Sequence, residues 1–194
     1  MKHLERITGL FALATLILRL FDGPKFSLPM LGTMLLLSFM HFYLSIGLFN
    51  GIRLRQLFDK TQYIDLSRGQ IIASIVAGLG LTAITLGVLF KLMYWPGSNE
   101  LILAGGFLLL GPLIFSLLNF QKIAFTAKSI LIRAVLIGGV GLSIFFTPKD
   151  TLLSMLYRDH PGYVEAFKNA MAEPENAALW EKLREEQKKM DAKR

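Results

Sequence analysis

Residues 71–90 read IIASIVAGLGLTAITLGVLF, a run of 20 residues without a charged side chain. An α-helix rises 1.5 Å per residue, so a run of this length matches the ~30 Å hydrocarbon core of a bilayer. In lipid, a single segment satisfies its own backbone amides only by forming a helix. Residues 71–90 therefore predict a transmembrane helix.

Four further apolar runs predict the same kind of structure. They lie at residues 7–21, 28–49, 101–120 and 129–146. The chain is 53% hydrophobic and only 18% charged, which is typical of proteins embedded in a bilayer. The sequence therefore predicts an all-α integral membrane protein in which residues 1–147 form five transmembrane helices.

The N-terminal 21 residues combine a basic start with an apolar centre, as a secretory signal peptide does. No small-residue cleavage site precedes the polar turn at residues 22–24. We therefore expect a retained first span, with a cleaved signal peptide as the alternative. This span is short, so it must recruit neighbouring residues, thin the bilayer, or have Arg6 and Arg19 snorkel toward the headgroups.

The formal net charge of +7 is distributed in a way that indicates topology rather than nucleic-acid binding. The basic residues that flank the apolar runs are Lys2, Arg6, Arg53, Arg55, Lys60, Arg68, Lys122, Lys128 and Arg133. The turns at residues 22–27 and 94–100 contribute only Lys25. Because cytoplasmic loops accumulate Lys and Arg, we expect the N-terminus inside and the C-terminal tail outside. A re-entrant span would move the tail to the other side.

Residues 7–49 and 71–120 align with each other at an offset of 72 residues. The aligned pairs include Arg19 with Lys91, Pro24 with Pro96, and Leu20 with Leu92. In each unit a basic residue ends one helix, a proline-containing turn follows, and a second helix begins. The pattern predicts two duplicated helical hairpins followed by a fifth helix.

Lys91 and Arg19 are candidate functional residues, because ionisable groups within a membrane are often functional. The alternative is that both cations snorkel to the interface, with Tyr94 and Trp95 as aromatic anchors. We favour the alternative, since a cation in the last turn of a helix also faces the negative end of the helix dipole.

The stretch LGVLFKLMYWPGSNELILAGG, residues 86–106, resembles the hairpin of the GldL-type membrane proteins of Bacteroidota. Those proteins form the inner-membrane motor of gliding motility and type 9 secretion. The resemblance implies that Lys91 corresponds to the intramembrane lysine of that family and Trp95-Pro96-Gly97 to its turn. It also implies a location in a bacterial inner membrane.

The chain departs from that family at the residues that would carry a proton. The family's histidine before the tryptophan is Tyr94 here, and residues 101–120 contain no acidic residue where the family has a buried glutamate. A proton-driven motor needs a group that gains and loses a proton within the membrane. The resemblance therefore predicts lineage and hairpin geometry rather than a motor.

His41 lies near the middle of the second span and is the deepest titratable side chain that the sequence predicts. None of the predicted spans contains an acidic residue. We therefore expect a neutral imidazole hydrogen-bonded to a hydroxyl such as that of Thr15 or Ser38. A proton or ligand site at His41 is the alternative.

Residues 148–194 predict a soluble tail of three short helices, since Pro148, Pro161 and Pro174 each stand where a helix would start. A unit this small hardly forms an independent core. We therefore expect it to pack on the bundle or to bind a partner. The side chains predicted to dock it are Tyr163, Phe167, Leu179 and Trp180.

The sequence contains no cysteine and no motif of a serine hydrolase, a zinc metalloprotease or a P-loop enzyme. No catalytic residue, cofactor site or metal site is predicted. We predict a non-enzymatic inner-membrane subunit whose partners are the lipid bilayer and other membrane or periplasmic proteins, without nucleic acid. The alternative is a small transporter or proton-coupled component that uses Lys91, Arg19 and His41.

Overall fold

The structure is a computed structural model that describes residues 2–192, and its regular secondary structure is helical throughout. Eight α-helices follow in chain order: α1 Lys2–Asp22, α2 Ser27–Asn50, α3 Arg68–Leu92, α4 Ser98–Leu118, α5 Ala124–Phe146, α6 Lys149–Leu156, α7 Pro161–Ala172 and α8 Ala177–Ala192. Short 3-10 helices lie at Gly23–Phe26, Leu54–Gln56 and Lys60–Tyr63. No β-strand occurs within residues 2–192, which confirms the predicted all-α class.

Four helical segments of the described chain are long and apolar enough to cross a membrane. They are Gly23–Asn50, Arg68–Leu92, Ser98–Leu118 and Ala124–Phe146. These segments make the chain compatible with a membrane protein. Helix α1 is also 21 residues long, but it carries Glu5, Arg6 and Arg19 and is not one of the four. The fifth span therefore stays a prediction.

Local sequence signals set the ends of the long helices. At the start of α3, the Ser67 hydroxyl accepts from the Gln70 N–H and the Gln70 side chain accepts from the Ser67 N–H, which is a capping box. Helix α2 ends at Asn50, and the next residue, Gly51, has a left-handed φ of 77°. Helix α5 begins at Ala124, before the predicted start at residue 129, so Arg133 lies well inside the helix.

Helix α3 is the centre of the bundle and packs against α2, α4 and α5. Its core-facing residues Leu81, Leu89 and Leu92 are completely buried. Helix α1 lies at the edge, where it packs on α2 and on α6 and leaves a row of large apolar side chains exposed. A bilayer would cover that row.

Glycines allow α3 and α4 to approach closely. A Cβ on Gly105 would lie 2.6 Å from the backbone oxygen of Gly80, and a Cβ on Gly80 would lie 2.9 Å from the backbone oxygen of Gly105. A Cβ on Gly87 would lie 2.8 Å from the backbone nitrogen of Ile102. Small residues at such positions bring helix backbones together in membrane bundles. The close fit between α3 and α4 therefore depends on the absence of a side chain at each of these glycines.

The two predicted repeat units have the same local architecture. Helices α1 and α2 form one hairpin around the turn at Gly23, and α3 and α4 form another around the turn at Gly97. Both glycines have a positive φ, 73° and 80°, a conformation that favours glycine. Duplication as the origin of this likeness stays a prediction.

The three helices predicted for the tail are present as α6, α7 and α8. Helix α6 lies on the bundle, since Leu152 and Leu156 are 1% and 0% exposed and belong to the same core as the long helices. Helices α7 and α8 pack on each other through a small separate cluster of Ala166, Ala170 and Leu183. Helix α6 thus belongs to the core of the bundle, whereas α7 and α8 share a small cluster of their own.

Replacing Gly105 with alanine places a methyl group against the backbone of α3. We expect Gly105→Ala to lower the free energy of unfolding by about 1–3 kcal/mol. The matched control is Gly106→Ala, because a Cβ at Gly106 meets open space and alanine favours helix. Thermal unfolding of both variants in one detergent measures the difference. Equal transition temperatures would show that α3 and α4 do not approach this closely.

Candidate functional site

Three ionisable side chains from three helices meet inside the bundle. Glu5 of α1 accepts hydrogen bonds from Nε and Nη2 of Arg133 of α5, so both of its carboxylate oxygens are bonded to the guanidinium. His41 of α2 lies with its Nε2 3.3 Å from Oε1 of Glu5. We call Glu5, His41 and Arg133 the charge cluster.

The acid and the histidine of the charge cluster are buried. Glu5 is 8% exposed and His41 is 1% exposed. The guanidinium carbon of Arg133 lies 5.2 Å from the centre of the Phe49 ring, and its Nη1 donates to the backbone oxygen of Ser129 at 2.9 Å. An unpaired charge in such surroundings costs several kcal/mol. The bidentate pair therefore explains how a carboxylate is held here.

The cluster corrects the predicted partner of His41. His41 is hydrogen-bonded to the carboxylate of Glu5 and not to a hydroxyl. Thr15 instead bonds to Thr33 at 3.0 Å, and the Ser38 hydroxyl has no partner in the described structure. The prediction was wrong because the first span was taken to start at residue 7, which left Glu5 outside it.

Arg133 was likewise interpreted as a charge that flanks a span. Its position within α5 and its pairing with Glu5 show that it faces the bundle. A signal for this pair does exist in the sequence, because Glu5 is an acidic residue within an otherwise basic N-terminus. A lone acid beside an apolar run suggests a basic partner on another helix.

Arg19, near the C-terminal end of α1, is only 1% exposed. Its Nη1 donates to the backbone oxygen of Leu156 at 3.4 Å and its Nη2 donates to the hydroxyl of Tyr157 at 3.2 Å. Leu156 is the last residue of α6, where backbone carbonyls have no partner within the helix. Arg19 therefore caps α6, and the prediction that it snorkels to the surface was wrong because the tail covers it.

Lys91 makes the equivalent contact in the second hairpin. It is 4% exposed, and its Nζ donates to the backbone oxygen of Phe145 at 2.7 Å, in the last turn of α5. The ammonium also lies 5.6 Å from the centre of the Phe145 ring. The residue aligned with Arg19 thus also caps a helix C-terminus. Snorkelling is wrong for Lys91 as well, and a functional role for either cation stays a prediction.

The outer-turn residues Pro24, Tyr94, Trp95, Pro96 and Gly97 lie near the end of the bundle that carries the tail. Tyr94 has a φ of 58°, and its hydroxyl donates to the backbone oxygen of Lys149 at 3.0 Å. Burial raises the pKa of this hydroxyl above its usual range. Trp95 is 42% exposed, as an interfacial anchor would be, whereas Tyr94 joins the hairpin to the tail.

The four predicted docking residues of the tail lie around the small cluster between α7 and α8. Tyr163, Phe167, Leu179 and Trp180 are all half-buried against it. The Phe167 ring also lies 5.3 Å from the Tyr94 ring, and the Trp180 indole donates to the backbone oxygen of Pro174 at 2.8 Å. These side chains hold the tail together and join it to the outer turn. Their role in binding a partner stays a prediction.

A cavity of about 750 Å³ lies between α1 and α5. Its walls are mostly aliphatic, and α2 and α3 contribute to its floor. Leu13 and Leu136 line it and are also exposed, so it opens sideways between α1 and α5. We call it the α1/α5 groove. All three residues of the charge cluster line it at one end.

Comparison of this chain with protein-family models, with curated proteins and with solved structures finds no match.

Replacing Arg133 with glutamine leaves the Glu5 carboxylate buried without its cation. We expect Arg133→Gln to lower the free energy of unfolding by about 3–5 kcal/mol. The double variant Glu5→Gln with Arg133→Gln removes both charges and should recover most of that loss. Lys122→Gln, an exposed cation before α5, serves as the control. Thermal unfolding in detergent measures the stability of the wild type and of the three variants. If the single variant Arg133→Gln and the double variant were equally stable, the role of this pair would be contradicted.

Proposed function

We propose that this chain is a non-enzymatic subunit of a membrane assembly, which holds a helical tail against one end of its bundle and offers it to a partner protein. The observation that carries the proposal is the pair of buried cations, Arg19 and Lys91. They donate to backbone oxygens at the C-terminal ends of α6 and α5. A charge-assisted hydrogen bond of this kind is worth about 1.5–3 kcal/mol, so Arg19 supports a fixed position for the tail and Lys91 a fixed position for the end of α5 that leads into it.

The outer surface of α8 supplies the chemistry for such a contact. Its exposed residues carry charges of both signs: Glu181, Lys182, Arg184, Glu185, Lys188 and Lys189. Charges of mixed sign on a fixed helix favour a specific partner over non-specific binding, because wrong pairings bring like charges together.

The proposal includes five spans in a bacterial inner membrane, with a cytoplasmic N-terminus and a periplasmic tail. Three features support this topology: the four apolar segments, the basic loops expected inside, and the pairing of the internal charges of α1 within the bundle. The likeness of residues 86–106 to GldL-type hairpins contributes a proposed lineage only.

Purification of the full chain from its native membranes in mild detergent tests the assembly role. We expect a stoichiometric partner to copurify. Its retention should fall roughly tenfold in Arg19→Met, because about 1.4 kcal/mol of tail fixation corresponds to a factor of ten. Trp180→Ala should lose the partner as well.

Lys25→Met is the matched control, since Lys25 is an exposed cation in the turn that follows α1. Each variant is first required to elute as a single species. A chain that purifies alone, or a partner fully retained when the residues after Thr147 are removed, would contradict the proposal.

A proton-coupled membrane component is a second candidate, and the charge cluster favours it. His41 shares the carboxylate of Glu5, and its other nitrogen, Nδ1, is buried without a hydrogen-bond partner among the described residues. A histidine that can gain a proton beside a carboxylate is the usual element of a proton relay. In this function Lys91 and Arg19 would serve as fixed charges.

Proton flux in liposomes tests the second candidate. With a pH gradient imposed, the reconstituted chain should dissipate it faster than protein-free vesicles, and His41→Ala or Lys91→Ala should abolish the difference. Ser154→Ala, an exposed change in the tail, should leave the flux unchanged. A wild-type rate equal to that of empty vesicles would exclude proton transfer.

A further inference from the structure

The α1/α5 groove has the dimensions of one leaflet of a bilayer. Its lining residues extend from Glu5 to Leu16 along α1 and from Phe125 to Val140 along α5. At 1.5 Å per residue these stretches measure about 17 Å and about 22 Å. One leaflet contributes about 15 Å of hydrocarbon to a bilayer. The groove is therefore long enough to hold an acyl chain of one leaflet.

The deep part of the groove is suited to hydrocarbon. It is lined there by side chains such as Leu16, Met34, Val88 and Val140. Water occupies a cavity only where several polar groups can bind it, and these side chains offer none. In a bilayer, a lateral opening in the apolar part of a bundle admits acyl chains, because acyl chains surround the bundle there.

The opposite end of the groove carries an excess of positive charge. Arg6 and Lys128 line it and are exposed. Neither has an ion-pair partner in the described part of the chain. The carboxylate of Glu5 does not neutralise them, because Arg133 already binds both of its oxygens. Two cations without a carboxylate partner attract an anionic headgroup.

We propose that the α1/α5 groove binds one acyl chain of an anionic phospholipid, whose phosphate lies between Arg6 and Lys128. The lipid comes from the leaflet at the N-terminal end of α1. The site goes beyond the proposed assembly role and does not depend on it. It does require α1 to lie within the bilayer, as the five-span topology has it.

Photo-crosslinking in phosphatidylcholine nanodiscs tests this site. The probe is a phosphatidylglycerol with a diazirine in one acyl chain, and the full-length protein is used. We expect the crosslinked peptides to come mainly from α1 and α5. Gly9→Phe should reduce labelling at least fivefold, because Gly9 lines the groove and a Cβ there meets no protein atom. Gly32→Phe is the matched control, since Gly32 is an equally open glycine on the exposed side of α2.

The headgroup is tested with Arg6→Gln and Lys128→Gln. Each should weaken labelling by phosphatidylglycerol about fivefold, because one basic residue near the surface contributes about 1 kcal/mol to binding an anionic lipid. Labelling by the same probe with a phosphatidylcholine headgroup should not change.

Three results would overturn the proposal. One is labelling spread evenly over the lipid-facing sides of α2 and α4. Another is labelling that Gly9→Phe leaves unchanged. The third is no labelling of α1 and α5 at all, which would mean that a protein helix fills the groove. Equal labelling by both probes would overturn the choice of an anionic headgroup.

Discussion

The structure depends on one constraint: a charged group that leaves water must meet an opposite charge or a free carbonyl. In apolar surroundings an unpaired ion costs several kcal/mol, and α1 carries ionisable groups near both ends. At one end Glu5 pairs with Arg133, which ties the first long helix to the last. At the other end Arg19 donates to the end of α6, which ties the first helix to the tail. Helix α1 packs mainly on α2, on the turn that follows it and on α6, so these two polar contacts help to determine how it is placed against the rest of the bundle.

Much of the fold could be predicted from the sequence, because helix formation in lipid is a local property. The long helices follow the apolar runs, and the three tail helices begin close to the prolines that predicted them. The charge cluster could not be predicted in the same way. Hydropathy placed the start of the first span at residue 7, which left Glu5 outside it, and Arg133 was counted with the basic residues that flank the last span. Helix α1 begins earlier, at Lys2, because a polar side chain can continue a helix when its partner lies on a neighbouring helix. That partner is separated by 128 residues in the sequence.

The equivalence of Arg19 and Lys91 connects the aligned sequence units with the three-dimensional arrangement. Each residue lies in the last turn of the first helix of its hairpin. Each donates to the last turn of a helix outside that hairpin. The dipoles of α5 and α6 place partial negative charge at those ends, so a buried cation is stabilised there without a carboxylate. This explains how two basic residues can lie in the interior although neither forms an ion pair within the described part of the chain. It also explains why lysine and arginine can occupy equivalent positions, since a backbone oxygen needs only one donor.

The distance along the chain between Glu5 and Arg133 affects biosynthesis. Ribosomes add about 5–20 residues per second, so the 128 residues that separate the pair take roughly 6–26 s to make. During that interval Glu5 lacks the arginine that binds both of its carboxylate oxygens. The contact between α1 and α5 therefore forms only after α5 has been made. The N-terminal helix is consequently secured by the last of the long helices to be synthesised.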